Sequence, residues 1–352
     1  MTSLASLPAL RGGLLALLAA LLFGISTPLV QQFGAGLGAF STAALLYSGA
    51  AAVGLLSRQR IEREARLQRS DLPRLLAMAG FGAVIGPVAL AWGLQHTSGT
   101  SASLMLTLEA LFTAVLAWRL YRETMDGRVW AAMALLLTGG MVLVIDQGRT
   151  GEAQLWDLLA VLLATAAWGV DNTLSRALAE RDPGQVVWAK ATLGASATLA
   201  LAFREPVPTA GAALALLAVG ATGYGLSLRF YLLAQRAFGA ARTGSVFAFA
   251  PFVGAGLALV LGDRAASGLM ALGSLLMLAG VVLHLAESHE HEHEHEALEH
   301  EHAHRHDDGH HHHPHGDLHM PDPSAQHSHR HRHEPLRHAH AHVPDAHHLH
   351  RH

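Results

Sequence analysis

"LLAALLFGISTPL", residues 17–29, and "LLATAAWGVDNTL", residues 162–174, are two versions of one segment. The offset of 145 that superposes them also aligns Gly49 with Gly194, and further on an offset of 140 aligns Gln95 with Gln235, Gly99 with Gly239, Glu123 with Asp263 and Gly140 with Gly280. The chain is built as a tandem repeat. Around these segments residues 1–286 are mostly Leu, Ala, Gly and Val in runs of about 20, the length that crosses roughly 30 Å of hydrocarbon at about 1.5 Å per residue. Apolar windows fall near 12–30, 38–57, 75–94, 101–118, 129–145, 155–174, 186–203, 211–230, 243–261 and 268–286. The first follows a single arginine and lacks a small-residue cleavage site, so it reads as a helix and not as a removed signal peptide.

Ten windows divide five to a repeat, and an odd number of spans sets the second repeat upside down relative to the first. The expected fold is all-α: a polytopic membrane protein of ten transmembrane helices in two inverted five-helix repeats, residues 11–146 and 155–286, followed by a disordered His-rich tail, residues 287–352. Inverted repeats of this kind mark transporters, with the substrate site near mid-membrane where the halves meet.

The formal charge of −3 conceals a division. From Glu287 onward 13 acids face 5 arginines, whereas the membrane part is basic, with 19 basic and 14 acidic residues. Six arginines lie in "SRQRIEREARLQRSDLPR", residues 57–74, and cytoplasmic loops are where Lys and Arg accumulate. Placing that loop inside puts 16 of the 19 basic residues on or near the cytoplasmic face and leaves only Arg149, Arg204 and Arg264 outside. Both termini are then expected in the cytoplasm of a multi-pass inner (plasma) membrane protein. Cysteine is absent, which excludes disulfides, thiolate metal sites and cysteine nucleophiles.

"LTLEALFTAVLAWRLYRE", residues 106–123, followed by "TMDGRVWAAMALLLTGGMVLV", resembles the end of a five-helix unit in EamA-type families of the drug/metabolite transporter superfamily. "FAPFVGAGLALVLGDRAASGLMALGSLLMLAGVVL", from Phe249, is similar to the same segment of the second unit. The chain departs from the family pattern at Ala110, where proline commonly follows the acid, at Arg122, where glycine is commoner, and at Phe249, which lacks the acid. The resemblance covers about residues 11–286 and implies a ten-helix secondary transporter, commonly an exporter of small metabolites. Some members bear histidine-rich C-termini.

Glu109 lies nine residues from the inner end of its span, near the midplane, where a carboxylate costs about 2.5–3.5 kcal/mol unless it is neutral, hydrated or paired. It is either a substrate- or proton-coupling residue or a glutamic acid bonded to a neighbouring helix. Asp171 and Lys190 sit at similar depth and are candidates for a buried pair; Lys190 is the only lysine in the chain. Their counterparts in the first repeat are Ser26 and Leu45, and that of Glu109 is Phe249, so any such site is asymmetric. Asn172 shares a helix face with Arg176 and joins the candidate substrate or coupling set. Pro28, Pro87 and Pro251 fall within spans, where proline removes a backbone donor. No nucleotide loop, nucleophile elbow or zinc-protease motif is present, so the chain reads as no enzyme.

The last 64 residues hold 25 of the 27 histidines. In extended chain "HEHEHEHE" puts imidazoles on one face and carboxylates on the other. Neutral imidazole suits Zn(II), Ni(II), Co(II) and Cu(II), and the candidate ligands are His289, His291, His293, His295, His300, His302, His304, His306, His310, His311, His312 and His313. No cofactor is required for the membrane part. With few apolar residues to bury, the tail is expected to be disordered without metal. A pH-responsive tail, titrating around pH 6.5, or a solvated extension, also fits the composition. The function expected is secondary-active export of a small solute, with divalent metal efflux as its sharper form. Alternatives are a metabolite exporter with a metal- or pH-sensing tail, and a membrane-anchored metal buffer. The partners are the lipid bilayer and a small-molecule or metal-ion substrate, with a homodimer as an admissible assembly and no nucleic acid.

Overall fold

The computed structural model describes residues 8–59, 64–121, 127–150, 155–238, 240–263, 267–285, 289–295, 299–304, 327–332 and 336–342. Among these, ten apolar helices follow the ten windows: α1 Arg11–Gly34, α2 Ala39–Leu56, α3 Arg69–Gly93, α4 Gly99–Leu120, α5 Gly127–Asp146, α6 Trp156–Leu178, α7 Pro183–Arg204, α8 Ala210–Ala237, α9 Thr243–Val260 and α10 Gly268–Leu285. Each buries one side against neighbours and leaves residues such as Leu14, Leu137, Leu199 and Leu275 outward, as a helix bordering lipid requires.

The neighbours come in related pairs. α1 packs on α8 and α9, and its counterpart α6 packs on α3 and α4; α2 packs on α8 as α7 packs on α3. α2 meets α7, α4 meets α9 and α5 meets α10, each helix touching its own repeat partner. Small residues permit the closest crossings. Gly24 of α1 abuts the Ala250 carbonyl of α9, and the equivalent Gly169 of α6 abuts Phe112 of α4, so a side chain on either glycine would drive the helices apart. The two five-helix repeats are thus inverted copies packed around a pseudo-twofold axis.

Regular helix is interrupted at matching places. α3 widens to a π segment over Ala79–Ile85, and α8 does so over Gly220–Leu226. α4 tightens to 3₁₀ geometry over Leu106–Leu108 and resumes at Glu109, while α9 breaks after Phe247 and restarts at Ala250 with Pro251 in the first turn. An offset of 140 carries the first of these breaks onto the second. Pro28, by contrast, sits inside an unbroken helix.

The arginine-rich face is clasped. Arg236, at the end of α8, donates to both oxygens of Glu64 at 3.1 and 2.9 Å, to Ala179 O at 3.1 and 3.0 Å, and to Arg181 O at 2.9 Å. Arg181 pairs with Asp71 at 2.9 Å, and Asp182 caps α7 while accepting from Gln59 N at 3.1 Å. The segment between α2 and α3 is thereby tied to that between α6 and α7. On the opposite face Glu205 accepts from Phe40 N and Ser41 N in the first turn of α2 at 3.1 and 2.7 Å, and His96 Nδ1 meets Asp157 Oδ1 at 3.1 Å. A charged hydrogen bond contributes about 1.5–3 kcal/mol, and a conformational shift of about 1.4 kcal/mol is tenfold. Arg236→Ala should therefore raise labelling of a Ser227→Cys reporter from the arginine-rich face by about tenfold. The cysteine-free chain allows that rate to be read with an impermeant thiol reagent; an unchanged rate would show that the clasp does not hold this face shut.

After residue 286, where composition predicts a disordered tail, the described backbone forms four short strands: β1 His289–His295, β2 Glu299–His304, β3 His327–Arg332 and β4 Leu336–His342. β1 pairs with β4 and β2 with β3, both antiparallel. The two-residue alternation of the sequence is compatible with strand, but two-stranded ribbons are marginal in water.

Candidate functional site

The interruptions lie beside one cavity at the meeting of α1, α2, α4, α6, α7, α8 and α9, lined by Phe23, Tyr47, Glu109, Trp168, Asp171, Asn172, Lys190, Gly223, Tyr224, Ser227, Leu228, Tyr231 and Phe247. The structure brings together all four membrane residues singled out from sequence. Its volume of about 40 Å³ holds roughly three waters, at about 10–15 Å³ each.

Lys190 of α7 donates to Asp171 Oδ2 of α6, and both residues are at most 3 % exposed. The second carboxylate oxygen, Asp171 Oδ1, is buried with no hydrogen-bond partner among the described residues. Glu109, at the point where α4 resumes its α geometry, accepts from Asn172 Nδ2. Asn172 is therefore turned toward Glu109 on another helix, although it shares a face of its own helix with Arg176. Removing charges from water is costly, and mutual pairing with hydrogen bonds is what offsets the cost.

Aromatic rings form the remaining wall. Phe23 stands edge-on to Trp168 and Tyr224 at 5.3 and 5.8 Å between centroids, Tyr47 to Tyr224 at 5.5 Å, and Tyr231 to Phe247 at 5.0 Å. A local backbone device fixes two of them. In the π segment of α3 Gly86 N donates five residues back to Phe81 O, and the next donor in that pattern would be Pro87, which has none. Gly82 O is left free and accepts from Tyr47 Oη and, at 3.0 Å, from Trp168 Nε1. Pro87 thus orients cavity side chains from two other helices. Gly82 also abuts Asp171, and its π-segment counterpart Gly223 abuts Ser26, the residue equivalent to Asp171. The pseudo-twofold axis therefore relates a charged half-site to a hydroxyl half-site.

Sequence reasoning had not picked out this wall. The signal was present in composition, since three of the chain's four tyrosines line one cavity in a protein with 6% aromatic residues. His96 is more than half exposed and pairs with Asp157; Gln95 donates to Leu37 O at 3.1 Å, and Gln235 accepts from Ser175 Oγ at 3.4 Å. Of the tail candidates, His289, His291, His293, His295, His300, His302 and His304 lie on the backbone of β1 and β2. His306, His310, His311, His312 and His313 lie outside the described residues.

Inverted five-helix repeats around a charged central cavity agree with a comparison to known families, in which the EamA-like transporter family matches residues 10–145 and again residues 154–286. The chain belongs to the EamA-like transporter family. Among curated proteins it is 27% identical over 230 residues to an uncharacterized transporter of Methanothermobacter thermautotrophicus (strain Delta H), covering 63% of this chain and 67% of that one. A solved crystal structure of a protein superposes with a TM-score of 0.54 at 20% identity, over 77% of this chain and 94% of its own, which is a likeness of fold. As an EamA-family protein the chain is a multi-pass membrane transporter whose surroundings are the lipid bilayer and whose cargo is a small molecule. Its family consists of transporters, in line with a non-enzymatic role.

Proposed function

We propose that this EamA-family chain is a secondary-active exporter of a small solute in the inner membrane, with both termini cytoplasmic and with Glu109, Asp171, Asn172 and Lys190 as its substrate and coupling residues. The observation that carries the reading is the charge balance of the cavity. Two carboxylates and one ammonium line it, so with all three ionised the site lacks one positive charge. A proton on Glu109 or a cationic group of the solute would restore neutrality, and the unpartnered Asp171 Oδ1 offers that group an acceptor. Competition between the two is the simplest form of proton-coupled exchange. The concentration of basic residues on one face supports the orientation.

Among the described residues that line the cavity there is no imidazole, which favours an organic solute over a bare transition-metal ion as cargo. The tail is then a cytoplasmic binder of Zn(II), Ni(II), Co(II) or Cu(II) that regulates export in response to metal. Cells expressing the full chain, or the chain truncated after residue 287, would be challenged with each metal while accumulation and proton-driven solute release are followed. The expected result is release in both, metal-dependent only in the full chain. Lower cell metal with the truncated chain would instead identify the ion as cargo, and loss of all flux on truncation would refute an autonomous carrier.

A further inference from the structure

The two strand pairs of the tail share one register. β1 and β4 place His289 opposite His342 through His293 opposite His338, and β2 and β3 place His300 opposite His331 through His304 opposite His327. The residue numbers of every opposed pair add to 631, so both ladders keep one register. Directly opposed residues of an antiparallel pair share a face, as do alternate residues along a strand. Each ladder therefore gathers its histidine pairs on one face. The other face opposes Glu294 to Arg337, Glu299 to Arg332 and Glu301 to Arg330, pairings of opposite charge that favour this register.

The sequence carries a second, independent mark of the pairing. Histidines occupy odd positions over 289–295 and even ones over 300–304; on the returning strand they are odd over 327–331 and even over 338–342. Both phase changes fall at mirrored places, which keeps histidine opposite histidine at six positions, three in each ladder, with His295 opposite Leu336 as the exception. A tail selected only for many imidazoles has no reason to change phase twice in step.

We propose that the two ladders form one hairpin and that the histidine positions it juxtaposes are the tail's site for a divalent transition ion. His327, His329, His331, His338, His340 and His342 then belong to the site as much as the residues of β1 and β2. The proposal rests on the reading of the tail as metal-binding and says how it binds. Two successive opposed pairs bring four histidine positions into a rectangle of about 5 by 7 Å of backbone, which matches the four ligands favoured by Zn(II). Because a two-stranded ribbon is marginal in water, ion binding and hairpin formation become one event.

The test uses the purified full chain and Zn(II). Spin labels on Glu292→Cys and Ala339→Cys, opposed in the register, should broaden each other's spectra when Zn(II) is added, whereas labels on Glu292→Cys and Ser328→Cys should not. Replacing His338, His340 and His342 by Ala should weaken Zn(II) binding at the intact β1 histidines by about tenfold or more. If that affinity holds and only the number of ions falls, the strands bind separately and the hairpin is wrong although the tail still binds metal. Equal broadening of both label pairs also overturns the register. No Zn(II) binding by the full chain removes the metal-binding reading itself.

Discussion

Glu109→Gln should lower proton-driven solute flux in reconstituted vesicles by at least about a hundredfold while leaving the protein folded and inserted. Glutamine keeps the shape of the side chain and can still accept from Asn172, so packing at the start of the resumed α4 helix is preserved. What it cannot do is exchange a proton or supply negative charge to a cation. A hundredfold loss corresponds to about 2.8 kcal/mol at about 1.4 per decade, within the range for one charge-assisted interaction. Solute–solute exchange separates the roles. If Glu109 only couples protons, exchange survives in the variant; if it binds solute, exchange falls equally. Proton-driven flux within a few-fold of the parent would exclude both roles.

Lys190→Met should destabilise the detergent-solubilised protein by about 3–5 kcal/mol, because it leaves Asp171 buried and uncompensated. Lys190→Met with Asp171→Leu should recover most of that stability, since two apolar side chains replace two buried charges. It should not recover transport. A double variant as unstable as the single one would show that the pair does not interact energetically, whereas a double variant that transports would remove Asp171 and Lys190 from the mechanism.

The scaffold was readable because its signals are long. Runs of twenty apolar residues, arginines on alternate loops and a repeat spaced by 145 or 140 positions each integrate over many side chains. The depth of Glu109, Asp171 and Lys190 followed from counting along helices. Which neighbour each would face did not, because that depends on helix rotation and crossing. Asn172 has both Arg176 one turn away on its own helix and Glu109 on another within reach, and only packing decides for Glu109. The roles of Glu64 and Asp71 were likewise hidden, since among six arginines an acid on a loop reads as solvated until its guanidinium partner is placed. The action of Pro87 was invisible for a different reason: its consequence, a carbonyl left for Tyr47 and Trp168, appears on helices remote in sequence.

A scaffold that looks the same upside down would make its two one-side-open conformations isoenergetic. The residues that differ between repeats lift that degeneracy, and the clasp around Arg236 is the largest such difference described. The guanidinium of Arg236 binds both oxygens of Glu64 and two backbone carbonyls, whereas His96 on the opposite face meets Asp157 through one 3.1 Å contact. The unloaded carrier is therefore expected to rest open away from the arginine-rich face. Its empty return, which must first release that guanidinium, becomes the slow leg of the cycle.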